Sequence, residues 1–121
     1  MAADFGLFRK QSTMEPGLAK MEDLHRRFTG VRVREKNLIF NSELIRALEL
    51  GFMLDIARAC AHASLQRRES RGSHFRDDYS QMDNPNFLKH SLVTRRPDGG
   101  LALAYRDVTI VDTKPLDAIK Y

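Results

Sequence analysis

SELIRALELGFMLDIARACAHASLQRR, residues 42–68, contains two apolar rows at helical spacing and sets the architecture of this chain. One row consists of Leu44, Leu48, Phe52, Ile56 and Ala59 or Cys60, and the other of Leu50, Leu54, Ala57, Ala61 and Leu65. Positions three or four apart lie on one face of an α-helix, so we predict a helix over roughly residues 43–68, capped by Asn41 or Ser42. Two rows predict a helix that is buried on more than one side, as in the centre of a small bundle.

A second amphipathic helix is predicted up to Phe28, with Glu15 and Pro16 in its first turn, because Leu18, Met21, Leu24 and Phe28 form one apolar stripe over residues 17–28. Ser12 or Thr13 is its predicted N-cap, and Gly30 its end. We interpret residues 3–9, which have no cap of their own, as the last turns of a helix that begins upstream. Met21 and Met53 are expected to fill the core.

The charged turn, as we call residues 67–79 (RRESRGSHFRDDY), directly follows the long helix. A solvated run of charges needs no glycine, so Gly72 at its centre predicts a positive φ or a close backbone approach. Basic and acidic side chains are mixed evenly here, which predicts ion pairs within the turn and with a neighbouring domain. The expected participants are Glu69, Arg71, His74, Arg76, Asp77 and Asp78.

A β-hairpin is predicted after the loop at residues 80–86, because Pro97-Asp98-Gly99-Gly100 separates two extended runs. We expect an extended tail over residues 112–121. The organisation is a helical bundle with the charged turn (1–79), then the loop, hairpin and tail (80–121), within one structural domain. The predicted fold class is mainly α: a small three-helix, spectrin-repeat-like bundle followed by a short antiparallel hairpin.

The composition of the 121 residues, with 42% hydrophobic and 30% charged, is typical of one folded domain with a modest core. The net charge of +4 leaves open a second interpretation, a stand-alone basic helical module that binds nucleic acid or another anionic partner. Acidic residues are interleaved with the basic ones, and Trp is absent, so we favour an ordinary surface with a mild basic excess.

The single cysteine and the histidines predict no special chemistry. Cys60 lies within the apolar pattern of the long helix, which predicts an inert core thiol and no disulfide framework. His25, His62, His74 and His90 are too dispersed to predict a metal site. His62 is expected to be hydrogen-bonded and partly buried. No segment approaches the roughly 18 apolar residues of a membrane span.

Four segments, in order, resemble the C-terminal region of the succinate dehydrogenase and fumarate reductase flavoprotein subunits. They are residues 1–9, 40–51, 68–76 and 86–90, the third of which matches the family's Glu-Ser-Arg-Gly-x-His-x-Arg. Ser80 and Phe87 depart from the proline and tryptophan that are usual in the family. L-Aspartate oxidase has a similar turn, but Lys89-His90 and Tyr105-Arg106 favour the dehydrogenase and reductase branch.

The resemblance implies that this chain is part of an FAD-dependent enzyme that interconverts succinate and fumarate. In the family, the flavin, the dicarboxylate and the proton transfer belong to preceding domains, and this sequence lacks a Gly-x-Gly-x-x-Gly fingerprint. We therefore expect no catalytic, cofactor-binding or metal-binding residue here, and an inactive isolated chain. The implied partners are the FAD-binding domain of the same subunit and the iron–sulfur subunit, without nucleic acid or direct membrane insertion. The implied location is cytoplasmic, on the inner membrane face through the parent complex.

The role that we assign to the charged turn is to dock against the FAD-binding domain, so that this region buttresses it. The predicted docking residues are Arg68, Glu69, Ser70, Arg71, Gly72, His74, Arg76 and Asp77. Arg71, His74 and Arg76 also have the chemistry to bind a dicarboxylate. Because the family binds its substrate with other residues, we favour the structural role.

Overall fold

The computed structural model describes residues 1–113 and residue 115. Its elements in chain order are β1 (Phe8–Arg9), α1 (Gln11–Phe28), α2 (Ser42–Gln66), β2 (Phe75–Arg76), α3 (Asn84–Phe87), β3 (Lys89–Arg95) and β4 (Leu101–Asp107). Packed helices followed by an antiparallel hairpin agree with the predicted order. The extended tail predicted for residues 112–121 lies largely outside the described residues.

Helices α1 and α2 pack antiparallel to each other. His25 Nε2 lies 3.0 Å from Asp55 Oδ1, and an Arg58 guanidinium nitrogen lies 2.8 Å from Glu22 Oε2, so earlier residues of α1 face later residues of α2. The buried cluster at this interface consists of Phe5, Met14, Met21 and Ala61, with Leu18, Ala57 and Leu65 packed against it. Burial of these side chains is the main force that holds the pair together.

The start of α2 confirms the capping role of Asn41. Its side-chain oxygen accepts a hydrogen bond of 2.8 Å from the Leu44 amide. Its side-chain nitrogen donates to the carbonyls of Glu35 and Asn37, at 3.0 and 2.7 Å, which ties the connection between the helices to the cap. The helix ends at Gln66, two residues before the predicted end.

Within the described residues, only the second of the two predicted apolar rows of α2 is packed, and in that row Leu50 is still 41% exposed. Leu54 and Ala61 of the second row are buried, whereas Leu48 is 51% exposed and Phe52 and Ile56 are each 64% exposed. The prediction that α2 is buried on more than one side is therefore wrong for the isolated chain, because α1 is the only long helix beside it within the described residues.

Cys60 and Met53 are exposed as well, so the prediction that they lie in the core is wrong. None of the helices in the described part of the chain is both long and apolar enough to span a membrane.

Helix α1 begins at Gln11, earlier than predicted, so Ser12 and Thr13 lie inside it rather than at its cap. The residue at the N-cap position, Lys10, makes no capping hydrogen bond with its side chain. A distant group replaces it, because the Asp78 carboxylate accepts a hydrogen bond of 2.8 Å from the Gln11 amide. Local capping rules missed this start because the capping group lies 67 residues away.

Two short elements differ from the prediction. Residues 1–5 form a helical turn, in which the Phe5 amide donates to the Met1 carbonyl at 2.7 Å, but Phe8–Arg9 is a strand rather than helix. It pairs in parallel with Phe75–Arg76, a tertiary contact that no local pattern reveals. The predicted loop at residues 80–86 contains the start of α3, where the Asp83 side chain accepts from the Asn86 amide at 3.0 Å.

The predicted hairpin is confirmed. Strands β3 and β4 pair antiparallel from Lys89 opposite Asp107 to Arg95 opposite Leu101. In the connecting turn Gly99 has φ +81°, which suits glycine, and its carbonyl lies 3.5 Å from a guanidinium nitrogen of the buried Arg58. Arg58 also binds Glu22, so one side chain of α2 contacts both α1 and the hairpin.

Replacement of Gly17 by alanine tests the contact between α1 and the N-terminal segment. An added Cβ would lie 2.5 Å from Asp4 Cβ and 2.8 Å from a ring carbon of Phe5. In an open helix this substitution stabilises by about 1 kcal/mol, but here we expect overpacking to reverse the sign and cost about 1–3 kcal/mol. Urea unfolding measures the change. Gly30→Ala is the control, because its Cβ would meet only the Arg27 carbonyl, at 3.5 Å. A stabilised Gly17→Ala variant would contradict this close packing.

Candidate functional site

The charged turn folds around a tight turn at residues 71–74. The Arg71 amide donates to the His74 carbonyl at 2.8 Å, and the His74 amide donates back to the Arg71 carbonyl at 3.1 Å. Gly72 has φ +57°, which confirms the predicted positive φ. The buried Ser70 hydroxyl accepts from the Arg76 amide at 2.8 Å and donates to the Tyr79 carbonyl at 2.9 Å, so it joins the two arms of the turn.

Glu69 is fully buried and lies between two guanidinium groups. Its Oε1 accepts from Arg67 Nε and Arg71 Nε, both at 2.8 Å, and its Oε2 accepts from Arg71 Nη2 and the Asp83 amide, both at 2.9 Å. Burial by itself would raise the pKa of Glu69, but the hydrogen bonds from Arg71, Asp83 and Arg67 outweigh it and hold the pKa below its usual range. The carboxylate therefore stays ionised inside the fold.

Both arginines extend this network to the second half of the chain. Arg67 donates to the carbonyls of Phe87 and Lys89, the latter at 3.1 Å, and its guanidinium carbon lies 5.7 Å from the centre of the Phe87 ring. Arg71 donates to the side-chain oxygen of Asn84 at 2.8 Å. Glu69 and its partners thus attach α3 and the first strand of the hairpin to the end of α2.

Arg76, which is also fully buried, forms the second ion pair of the turn. Its Nε and Nη2 donate to the two carboxylate oxygens of Asp78, at 2.8 and 2.6 Å. Its Nη1 donates to the Leu65 carbonyl at 3.0 Å, in the last turn of α2, and its guanidinium carbon lies 4.9 Å from the centre of the Tyr79 ring. A cation at this end of a helix complements the helix dipole and binds an otherwise unpaired carbonyl.

Asp78 links this pair to the other helix. It accepts from the Gln11 amide at the N-terminus of α1, where a carboxylate complements the opposite end of a helix dipole. The hydrogen bonds from Arg76 lower the pKa of Asp78 to about 2, against the opposing effect of burial. Arg76 and Asp78 together therefore bridge the C-terminal end of α2 and the N-terminal start of α1.

His74 joins the charged turn to the N-terminal segment. Its Nδ1 lies 2.8 Å from Arg9 Nη1 and its Nε2 lies 3.1 Å from the Arg67 carbonyl. Since a guanidinium only donates and a carbonyl only accepts, His74 is neutral with its proton on Nε2. Burial lowers the pKa of His74, and the nearby Arg9, Arg76 and Arg67 lower it further, against the opposing bond to the Arg67 carbonyl.

The predicted docking residues fall into two groups. Glu69, Ser70 and Arg76 are buried within this chain, and Arg71 and His74 are half-buried with the partners described above. Arg68, Gly72 and Asp77 are exposed. Docking of the charged turn against another domain stays a prediction, and these three are its members at the surface of the chain.

Sequence reasoning missed several members of the network. Arg67 lies next to predicted residues, whereas Asn84 lies 13 residues from its partner Arg71 and Arg9 lies 65 residues from its partner His74. The cations that have the chemistry to bind a dicarboxylate are already paired inside the chain: Arg71 with Glu69, and Arg76 with Asp78. The arrangement therefore favours a structural role for these cations over anion binding.

His62 is partly buried, as predicted, but its Nδ1 is a buried atom without a hydrogen-bond partner. Its position on α2 carries no further indication of a ligand.

The whole chain, residues 1–121, matches the family model described as the fumarate reductase flavoprotein C-terminus. The fumarate reductase flavoprotein subunit of Haemophilus influenzae is 34% identical over 110 residues, which cover 91% of this chain and 18% of that protein. The succinate dehydrogenase flavoprotein subunit of Coxiella burnetii is 38% identical over 110 residues, with the same coverage of 91% and 18%.

Among solved structures, a mutant of the Escherichia coli quinol fumarate reductase superposes with a TM-score of 0.91 at 36% identity. That match covers 97% of this chain and 20% of the other. The chain thus spans about a fifth of the length of the relatives that it matches.

Glu69→Gln tests the buried ion pairs. The amide keeps the shape of the side chain but leaves Arg67 and Arg71 without a counter-charge, and such a loss inside a protein costs about 3–5 kcal/mol. We expect a loss of this size in the free energy of unfolding in urea. Asp23→Asn is the matched control, because Asp23 pairs with Arg26 on the surface, where pairs contribute about 0–1 kcal/mol. Equal losses in the free energy of unfolding for the two substitutions would show that burial of the Glu69 ion pairs adds nothing to stability.

His74→Gln tests the pH dependence that the neutral imidazole implies. The pKa of His74 is below its ordinary 6.5 in the folded chain, so near this pH the unfolded chain binds more protons. Stability therefore falls as the pH drops below about 6.5, and we expect His74→Gln to reduce this fall, measured by unfolding at a series of pH values between about 7 and 5. The control is His90→Gln, at an exposed position. If the stability of His74→Gln depended on pH as strongly as that of the unsubstituted chain, the assignment of His74 as a neutral imidazole would be refuted.

Proposed function

The chain belongs to the family of fumarate reductase flavoprotein C-terminal domains, and on this basis we propose that it is the C-terminal, non-catalytic domain of an FAD-dependent subunit that interconverts succinate and fumarate. The observation that carries the proposal is the match of the family over all 121 residues, together with a fold that superposes on a quinol fumarate reductase at a TM-score of 0.91. The relatives are named flavoprotein subunits.

The role of this domain is to buttress the part of the subunit that binds the flavin. The chemistry that FAD would supply in the parent subunit is hydride transfer from succinate or to fumarate. This sequence has no glycine-rich fingerprint for the dinucleotide. What this chain contributes is a rigid body, because its buried ion pairs hold the helix ends, the charged turn and the hairpin in one arrangement.

The domain also has a place in the assembly of the subunit and of the parent complex. The three-helix, spectrin-repeat-like bundle would be completed by a helix from the preceding part of the subunit, and the helical turn at residues 1–5 supports this. Arg68, Gly72 and Asp77 at the surface of the charged turn would contact the flavin domain. The further partner is the iron–sulfur subunit, and the location is the inner face of the membrane through the parent complex.

A chimera tests the proposed function. In it, this chain replaces the corresponding C-terminal region of the Escherichia coli fumarate reductase flavoprotein subunit. We expect the chimera to retain FAD and to reduce fumarate with a reduced viologen dye as electron donor, because the two regions share one fold. The 121-residue chain alone is expected to bind no FAD and to show no activity.

The control for this experiment is the same subunit truncated before the replaced region, which is expected to lose both properties. A chimera that, like the truncated subunit, lacks FAD and fumarate reduction would contradict the proposed function.

A further inference from the structure

The side of α2 that faces away from α1 is an apolar surface without a neighbour in the described part of the chain. We call it the outer row: Ile45, Leu48, Phe52 and Ile56. These residues follow one another at spacings of three and four, so they lie along one side of the helix. All four are more than half exposed.

The outer row lies opposite the packed row. Phe52 and Leu54 are two residues apart, which is roughly 200° around an α-helix. Leu54 is buried on the side of α1, so Phe52 points to the other side. A helix that is apolar on two opposite sides lies, in a stable protein, between two packed layers. Only one of these layers is present among the residues that the structure describes.

The residue just before α2 supports the same conclusion. Phe40 is 98% exposed and has φ +53°, a backbone conformation that is unfavourable for a side chain of this size. It follows Leu38 and Ile39, which are also exposed. Strained backbone and exposed apolar side chains in one short segment are typical of a surface that packs against another body.

We infer that the outer row of α2, with Phe40 at its end, is the main surface on which the preceding, flavin-binding part of the subunit docks. This inference rests on the proposed function. The matched family is a C-terminal region, and in the relatives it makes up 18% of the chain, so most of the remaining sequence precedes it and is available to cover this surface. The surface is apolar, so its partner presents an apolar face.

A second copy of this chain is the competing occupant. The flavin-binding part is favoured over it because the relatives contain that part within the same polypeptide, at a high effective concentration.

The test places Phe52→Gln and Ile56→Gln together in the chimera and in the 121-residue chain. Glutamine is a good helix former, and both side chains are exposed in the isolated chain, so its melting temperature should stay within a few degrees of the unsubstituted value. In the chimera the same pair should reduce bound FAD and fumarate reduction by about tenfold or more, because side chains at the centre of an interface dominate its free energy. The matched control is Val111→Gln, which replaces an exposed apolar residue outside α2.

The outcomes separate this inference from the proposed function. An unsubstituted chimera without FAD would overturn both. A chimera that keeps FAD and activity with the double substitution would overturn the docking surface and leave the proposed function standing. An equal loss of stability in the isolated chain would show that the outer row is internal. Sedimentation of the 121-residue chain as a dimer that the double substitution dissociates would assign the surface to a second copy.

Discussion

The bidentate pair between Arg76 and Asp78 is the interaction on which the arrangement of the helices depends. Two antiparallel helices bring the C-terminal end of one and the N-terminal start of the other together, with unpaired carbonyls beside unpaired amides. Arg76 donates to the Leu65 carbonyl of α2, and Asp78 accepts from the Gln11 amide of α1. Each charge matches the dipole of the helix end that it contacts, and the two charges neutralise each other.

Glu69 fixes the second half of the chain to the end of α2, as the Arg76–Asp78 pair fixes the two helices to each other. A buried carboxylate is unfavourable unless its charge and its lone pairs are satisfied, and here two arginines and a backbone amide satisfy them. The same arginines reach Phe87, Lys89 and Asn84, so the position of the hairpin follows from the ionisation of one side chain. A modest apolar core is thereby combined with a rigid charged turn.

Because of these two ion-pair sites, the charged turn is chiefly an internal structural element. Most of its cations hold this chain together, and few remain for contacts with another domain. The outer row of α2 offers a larger apolar surface, and hydrophobic burial is the dominant force in most protein associations. A domain that is internally rigid and apolar on one side suits the role of a buttress in a flavoprotein subunit.

Sequence patterns alone predicted the long helix with its cap at Asn41 or Ser42, the hairpin with its Asp-Gly turn and the positive φ or close approach at Gly72, because each depends on residues close together along the chain. The family followed from short motifs in four segments of the sequence. Only the tertiary structure decided which apolar row of α2 is buried, since periodicity reports a helix face but not its neighbour. It also decided the start of α1 and the strand at Phe8–Arg9, because Asp78 and Phe75–Arg76 lie more than 60 residues away. The ion pairs of Arg71 with Glu69 and of Arg76 with Asp78 join residues two positions apart and were expected from the sequence, whereas contacts between groups more than 60 residues apart leave no local signal and emerged only from the folded chain.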